Sequence, residues 1–179
     1  MATKIRRVAA GGVKLRRMYV DCRYGQLHLV TAFAPTGGFD ELTPLVLLHD
    51  DGGRGADFDS CAALLGADRS VYAPDLPGSG ASDGPTGRVS SADLAMAITD
   101  LFDQLRLHEV DVVGCGRGAL VASELASMRP RQVRRVVIAG SALAVLPQQP
   151  LLHLGEDTTL PFHAPLGPVV TRIREFLDS

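Results

Sequence analysis

Cys115, Gly116 and Arg117 stand in a glycine-rich corner, Gly114-Cys115-Gly116-Arg117-Gly118, between the strand-like run 110–113 and a helical pattern of Ala119, Leu120, Ala122, Leu125 and Ala126. Glycines at a strand–turn–helix corner admit strained backbone and close packing that a Cβ would obstruct. A thiol and an arginine placed there could supply a nucleophile or steady a developing negative charge. A second corner, Asp50-Asp51, follows the apolar run 45–49 and offers paired carboxylates for acid/base work. His49 abuts that corner. His163, within Phe162-His163-Ala164-Pro165, is a further candidate base, and Ser141 follows the apolar run 133–139.

The elements that would position these corners can be read along the chain. Runs 18–22 and 27–33 suggest a hairpin through Arg23-Tyr24-Gly25-Gln26. Run 45–49 has the continuous apolar character of a buried parallel strand, and 71–74, 110–113 and 133–139 extend the series. Helical patterns fall at 58–65, after Ser90 with Asp93 as a capping pair, after the elbow as far as Arg129-Pro130, and at 166–177, where Val169, Ile173, Phe176 and Leu177 share one side. Alternation of strands with helices predicts βαβ units and a mostly parallel twisted sheet flanked by helices. Run 151–154 is ambiguous: residues 140–150 give a marginal length for a parallel crossover, so it either pairs unusually or lies outside the sheet.

Composition narrows the function classes. Apolar residues make up 46%, charged residues 21%, and the formal net charge is −2, the profile of a soluble globular protein. No run approaches the ~18 apolar residues of a membrane span, and the start of the chain lacks a signal-peptide apolar core, so a cytoplasmic protein without membrane partners is expected. Cys22, Cys61 and Cys115 lack metal-ligand spacing, and neither a metal nor a cofactor is expected. With no Trp and 5% aromatics, nucleic acid is not an expected partner. Lys4, Arg6, Arg7, Lys14, Arg16 and Arg17 mark residues 1–17 as a basic leader, solvated and partly disordered, with a polyanion-binding arm as the alternative; residues 18–179 form a single domain.

The chain resembles the α/β-hydrolase family from about residue 18 to 141. Tyr19-Val20-Asp21 with Gly25-Gln26-Leu27-His28 is similar to its opening hairpin, and Leu47-Leu48-His49 to the strand before its oxyanion loop. Ala73-Pro74-Asp75-Leu76-Pro77-Gly78-Ser79-Gly80-Ala81-Ser82-Asp83 resembles its D-x-P-G-x-G-x-S turn, and 113–119 its nucleophile elbow. The resemblance implies a Ser, Asp or Cys at the elbow tip, relayed by a histidine and held by a carboxylate. Gly116 occupies that tip, so no acyl-enzyme can form there. Cys115 falls one residue early. The oxyanion donors implied are the N–H of Asp51, where Asp50-Asp51 replaces the usual glycine and its successor, and the N–H of Arg117. An Asp51–Arg117 ion pair across the pocket mouth is one expectation, with both side chains in solvent as the alternative. Asp157 is one residue early for the family's acid, Gly140-Ser141 stands where another acid position falls, and His163 is a remnant base. The lid, and with it a final strand, is missing, leaving an open pocket and an under-protected sheet edge that favour a homodimer.

These residues support two classes of function. The first is a non-hydrolytic acid/base enzyme of lyase, isomerase or cyclase type, in which Asp51, or Asp50, moves protons. Arg117 and backbone amides then hold a small, largely apolar metabolite beside His49, Cys115, Gly116 and Ser141. The second is a non-catalytic ligand-binding or regulatory protein on a hydrolase fold. A residual hydrolase using Cys115, or water activated by Asp51 and His163, is a third reading.

Overall fold

Continuous apolar runs become the middle of one sheet. The computed structural model describes residues 12–35, 41–140, 148–155 and 166–179. Strands β1 (Leu15–Cys22), β2 (Gly25–Ala32), β3 (Leu42–Leu48), β4 (Arg69–Pro74), β5 (Val110–Cys115), β6 (Val133–Ala139) and β7 (Leu151–His153) lie in the order β1-β2-β4-β3-β5-β6-β7. β1 and β2 are antiparallel, as are β2 and β4, whereas β4-β3-β5-β6-β7 pair in parallel. Helices α1 (Asp59–Leu65), α2 (Ser91–Gln104), α3 (Arg117–Met128) and α4 (Leu166–Leu177) flank the sheet.

The period-two alternation of strand side chains divides the core in two. Val46, Leu48, Val112, Val136 and Ile138 face α2 and α3, while Leu45, Leu47, Val113, Val137 and Ala139 face α1 and α4. All of these residues are buried. Strands covered on both faces read as unbroken apolar runs, the feature that made them legible.

Several boundaries differ from the sequence reading. β1 begins at Leu15, with Arg16 and Arg17 paired opposite Thr31 and Val30, so the end of the expected basic leader is edge strand. An edge tolerates such charged side chains because they reach solvent. Residues 1–11 lie outside the described residues. The predicted helix at 58–65 opens with a 3-10 turn at Gly55–Phe58 before α1 starts. β7 is in the sheet, in parallel register with Val136–Ile138, so residues 140–150 suffice for the crossover. The regions where a lid or a further strand would fall, 141–147 and 156–165, lie outside the described residues. On α4 the buried stripe is Val170, Ile173 and Leu177; Val169 and Phe176 are only half-buried, a shift of the apolar face by one position.

The far end of α4 is tied to the N-terminal rim of the sheet. Arg134 Nη2 donates to the Leu177 carbonyl at 2.7 Å, and Arg135 donates to the same oxygen. Arginines on the last carbonyls satisfy groups that a helix end leaves open and oppose its dipole. The fully buried Arg69 reaches Asp178 at 2.5 Å, and Arg174 pairs with Asp68.

A second tie holds the turn after β4. Asp75 is buried, and its carboxylate accepts from the N–H groups of Gly55 (2.6 Å) and Ala81 (2.8 Å) and meets His28 Nδ1 at 3.0 Å. Ser82 Oγ donates to the Asp75 carbonyl at 2.7 Å and accepts from the His28 N–H at 2.9 Å. Polar groups buried this deeply are costly to leave unpaired. Asp75→Ala strands two amides and an imidazole, and it is expected to lower unfolding free energy by about 3 kcal/mol, read as a lower urea midpoint at unchanged m-value.

Candidate functional site

The site is set by the parallel register of β3 and β5. Leu48 lies opposite Gly114, so the chains leave the two strands at the same level and their following loops meet. Helix α3 then starts directly against β3. A Cβ built on Gly118 would fall within 3.0 Å of the Leu48 and His49 carbonyl oxygens, so only glycine permits this approach.

At the tip of the elbow Gly116 has φ 50° and ψ −119°, a strained turn for any residue with a side chain. The space a side chain would enter is already filled. A Cβ on Gly116 would lie within 3.0 Å of Oδ1, Oδ2 and Cγ of Asp50 alike. Asp50 Oδ1 accepts from the Arg117 N–H at 2.7 Å and from the Asp51 N–H at 2.8 Å. Both oxyanion donors implied by the resemblance are thus spent on the chain's own carboxylate.

The neighbouring side chains are also committed. His49 is buried; its Nδ1 contacts the Asp50 carbonyl at 2.7 Å, and its Nε2 accepts from the Leu76 N–H at 2.8 Å. A backbone amide can only donate and a carbonyl only accept, so these partners place the ring proton on Nδ1. Arg117 Nη1 pairs with Asp51 Oδ1 at 3.1 Å, and its Nη2 donates to the Val89 carbonyl at 2.7 Å. Asp51 and Arg117 therefore meet across the mouth, with the Asp51 side chain 72% exposed. Cys115 is buried, with its Sγ donating to the Leu48 carbonyl at 3.5 Å. Burial first, and the Asp50 charge second, push its thiol up to about 12. A protonated, enclosed thiol is a packing group and a poor nucleophile.

What remains is a notch of about 50 Å3 lined by His49, Asp50, Leu76, Val89, Leu94 and Arg117, among others. Small-molecule sites run to roughly 300–1,000 Å3. A larger open cleft, about 660 Å3, lies away from the elbow between the β1–β2 turn and the end of α2. Its Arg23 is bound in two-point fashion to Asp100, at 2.9 and 2.8 Å, which holds the Asp100 carboxyl below its usual range.

Among the candidates from sequence, the structure brings His49, Asp50, Asp51, Cys115, Gly116 and Arg117 to one corner. His163 and Ser141 lie outside the described residues, as does Asp157. His28 serves the Asp75 knot, His108 is exposed, and His153 contacts the Gly140 carbonyl at 3.0 Å. Sequence reasoning put Asp51 ahead of Asp50, yet it is Asp50 that reaches the elbow. The usable signal was Gly116 itself, since a missing side chain leaves room for a neighbour's. The Val89 and Leu76 backbone groups had no signal in residue type. Among the described residues no cluster of His, Cys, Asp and Glu could hold a metal ion, and no helix is long and apolar enough to cross a membrane.

A mostly parallel sheet in this strand order, entering a glycine elbow beside an amide pair, defines an α/β-hydrolase fold. The chain belongs to the alpha/beta hydrolase family, whose model matches residues 45–179. A 2-hydroxymuconate semialdehyde hydrolase of Pseudomonas putida is 32% identical over 138 residues, covering 75% of this chain and 46% of the relative. An uncharacterized protein of Mycobacterium tuberculosis is 32% identical over 97 residues, 54% of this chain and 28% of its own length. Among solved structures, the epoxide hydrolase CorEH superposes with a TM-score of 0.65 at 25% identity, over 75% of this chain and 47% of its own. The naproxen esterase of Bacillus subtilis matches in fold, with a TM-score of 0.65 at 24% identity over 77% of this chain and 47% of its own. The chain therefore spans between about a quarter and a half of the length of these proteins.

Two expectations follow from the crowded tip. Gly116→Ala is expected to destabilise the wild-type background more than the Asp50→Gly background. The coupling is about 1–2 kcal/mol in a double-mutant cycle by denaturant unfolding, because the backbone strain is common to both and the collision is not. Alkylation of the native protein near pH 8 should modify half-buried Cys22 first and leave Cys61 and Cys115 unmodified until unfolding, as mapped by peptide mass.

Proposed function

We propose that this family member does not run covalent ester cleavage and works as a non-catalytic, ligand-binding or regulatory pseudo-hydrolase. The observation that carries this reading is the Asp50 carboxylate, seated on the Arg117 and Asp51 amides and in the volume of the absent nucleophile. Acyl transfer needs an attacking atom at the tip and free donors for the oxyanion. Gly116 removes the first and Asp50 occupies the second. The notch of about 50 Å3 beside them leaves little room for a substrate.

Acid/base catalysis of lyase, isomerase or cyclase type by Asp51 with Arg117 has less support. The Asp51 carboxylate faces solvent and is paired, and the Arg117 guanidinium is held by Asp51 and Val89. The relatives named hydrolases cover the elbow region, but their activities belong to chains about twice as long. A small-molecule ligand and a homodimeric state are parts of the same proposal.

The purified chain incubated with 4-nitrophenyl acetate and butyrate is expected to give no rate above the protein-free blank. A fluorophosphonate probe is expected to leave no stoichiometric adduct by intact mass. Saturable ester turnover, or one mole of adduct per mole of protein, overturns the reading.

A further inference from the structure

We propose that β1 is the dimer interface of this chain, pairing antiparallel with β1 of a second copy about a two-fold axis at Tyr19, so that two sheets join into one. The inference rests on the homodimeric state proposed above and names its surface; it does not depend on whether the elbow is catalytic. β1 ends the strand order, and among the described residues nothing pairs with its outer edge. The main chain along that edge is set for another ladder. Opposite Tyr19 and Asp21, the His28 and Gln26 N–H groups donate to Ser82 Oγ at 2.9 Å and Asp83 Oδ2 at 2.8 Å, and their carbonyls accept from the Asp75 and Asp83 N–H groups. His28 and Gln26 thus turn away from β1, and bonded and non-bonded pairs alternate along an antiparallel ladder. Leu15, Arg17, Tyr19 and Asp21 therefore aim their own N–H and C=O groups off the sheet. Edges are usually blunted by brevity, proline or a bulge. β1 has eight residues, no proline and an unbroken register with β2.

The side chains of the same four residues select the partner and its register. All four are exposed, Tyr19 at 53%, and Tyr19 is braced against the His28 ring at a centroid distance of 5.1 Å. Arg17 feels the Asp59 charge through space but makes no hydrogen bond or ion pair among the described residues, and Asp21 accepts a long bond from Gln26 at 3.4 Å. Centring on Tyr19 sets Arg17 opposite Asp21 of the second copy, and Asp21 opposite its Arg17, with the two tyrosines meeting at the axis. Centring on Arg17 or Asp21 opposes like charges, and a parallel pairing sets every residue against itself. Centring on Met18 or Val20 leaves Arg17 without a carboxylate opposite. Directly opposed unlike charges stabilise a strand pair, and like charges weaken it. On the other face, half-buried Met18 meets buried Val20 of the second copy, which extends the apolar layer that faces α2. A surface that pairs with itself about a two-fold axis uses up the free edge of both copies, so the assembly closes at the dimer.

Sedimentation equilibrium from low to high micromolar concentration is expected to show the wild type reaching twice the 19.0 kDa of the chain. Arg17→Asp and Asp21→Arg each set like charges across the axis and are expected to weaken the dimer by roughly tenfold or more. The double variant exchanges the two charges and is expected to restore it. Tyr19→Cys on a Cys22→Ser background is expected to form an intermolecular disulfide on mild oxidation, since bonded pairs stand about 5.5 Å apart at Cα, within disulfide reach. Met128→Cys, exposed at the end of α3, is expected not to. Should a variant fail to fold, the wild type decides alone. Amide exchange at Arg17, Tyr19 and Asp21 is expected to slow as concentration rises, while Met18 and Val20, already bonded to β2, change little. Exchange at those three amides that ignores concentration overturns the proposal, as does a double variant no tighter than the singles. A dimer that neither crosslinks at position 19 nor responds to the charge changes also overturns it, and leaves the homodimer standing on another surface. A monomer at every concentration overturns both and leaves the edge to a strand of another protein. Ester turnover would defeat the non-catalytic reading and leave this interface untouched.

Discussion

The parallel pairing of β3 with β5 is the constraint from which the site follows. With Leu48 opposite Gly114, the two chains leave the sheet side by side and their next residues must share one small volume. Glycine at position 118 lets α3 begin against the β3 carbonyls, which lowers the elbow onto the loop from 50 to 53. The contact is a product of backbone register before it is a product of residue chemistry.

Within that volume, emptiness and occupancy are linked. A tip residue with any side chain would collide with Asp50, and a glycine tip without Asp50 would leave two convergent amides facing an unfilled space. Unsatisfied amide groups cost free energy when shielded from water. The pair Gly116–Asp50 thus reads as one unit, in which a tip without a side chain and an internal acceptor fit each other. His49 is held in the same spirit: its ring bridges the Asp50 carbonyl and the Leu76 amide, which fixes the loop whose next side chain meets the elbow amides.

The fold was legible because buried parallel strands are written as largely apolar runs, unbroken at Leu45 to Leu48 and interrupted only by the buried Asp111 at Val110 to Val113. Helix α2 was legible through Ser90 and Asp93, whose mutual hydrogen bonds fix its first turn. The β1 start was not, because an edge strand can carry Arg16 and Arg17 without an apolar pattern. Nor was the status of β7, where three residues and a short crossover leave the pairing to tertiary contacts. At the site, residue type announced an acidic corner facing an empty tip. Which of Asp50 and Asp51 would turn toward the elbow depends on backbone dihedrals around the loop, and one residue's shift exchanges the side chain that meets the elbow amides for the one that pairs with Arg117 at the mouth. The amide of Leu76 and the carbonyl of Val89 were illegible in principle, since every residue carries the same backbone groups.

The arginines that grip the end of α4 stand at the opposite rim of the sheet from the elbow. Arg134 and Arg135 fasten its last turn to the start of β6, and Arg69 fastens Asp178 to the start of β4. A helix moored there is fixed from the rim where the parallel strands begin, so a disturbance of its last turn is applied at the end of the sheet remote from the corner of Asp50 and Gly116.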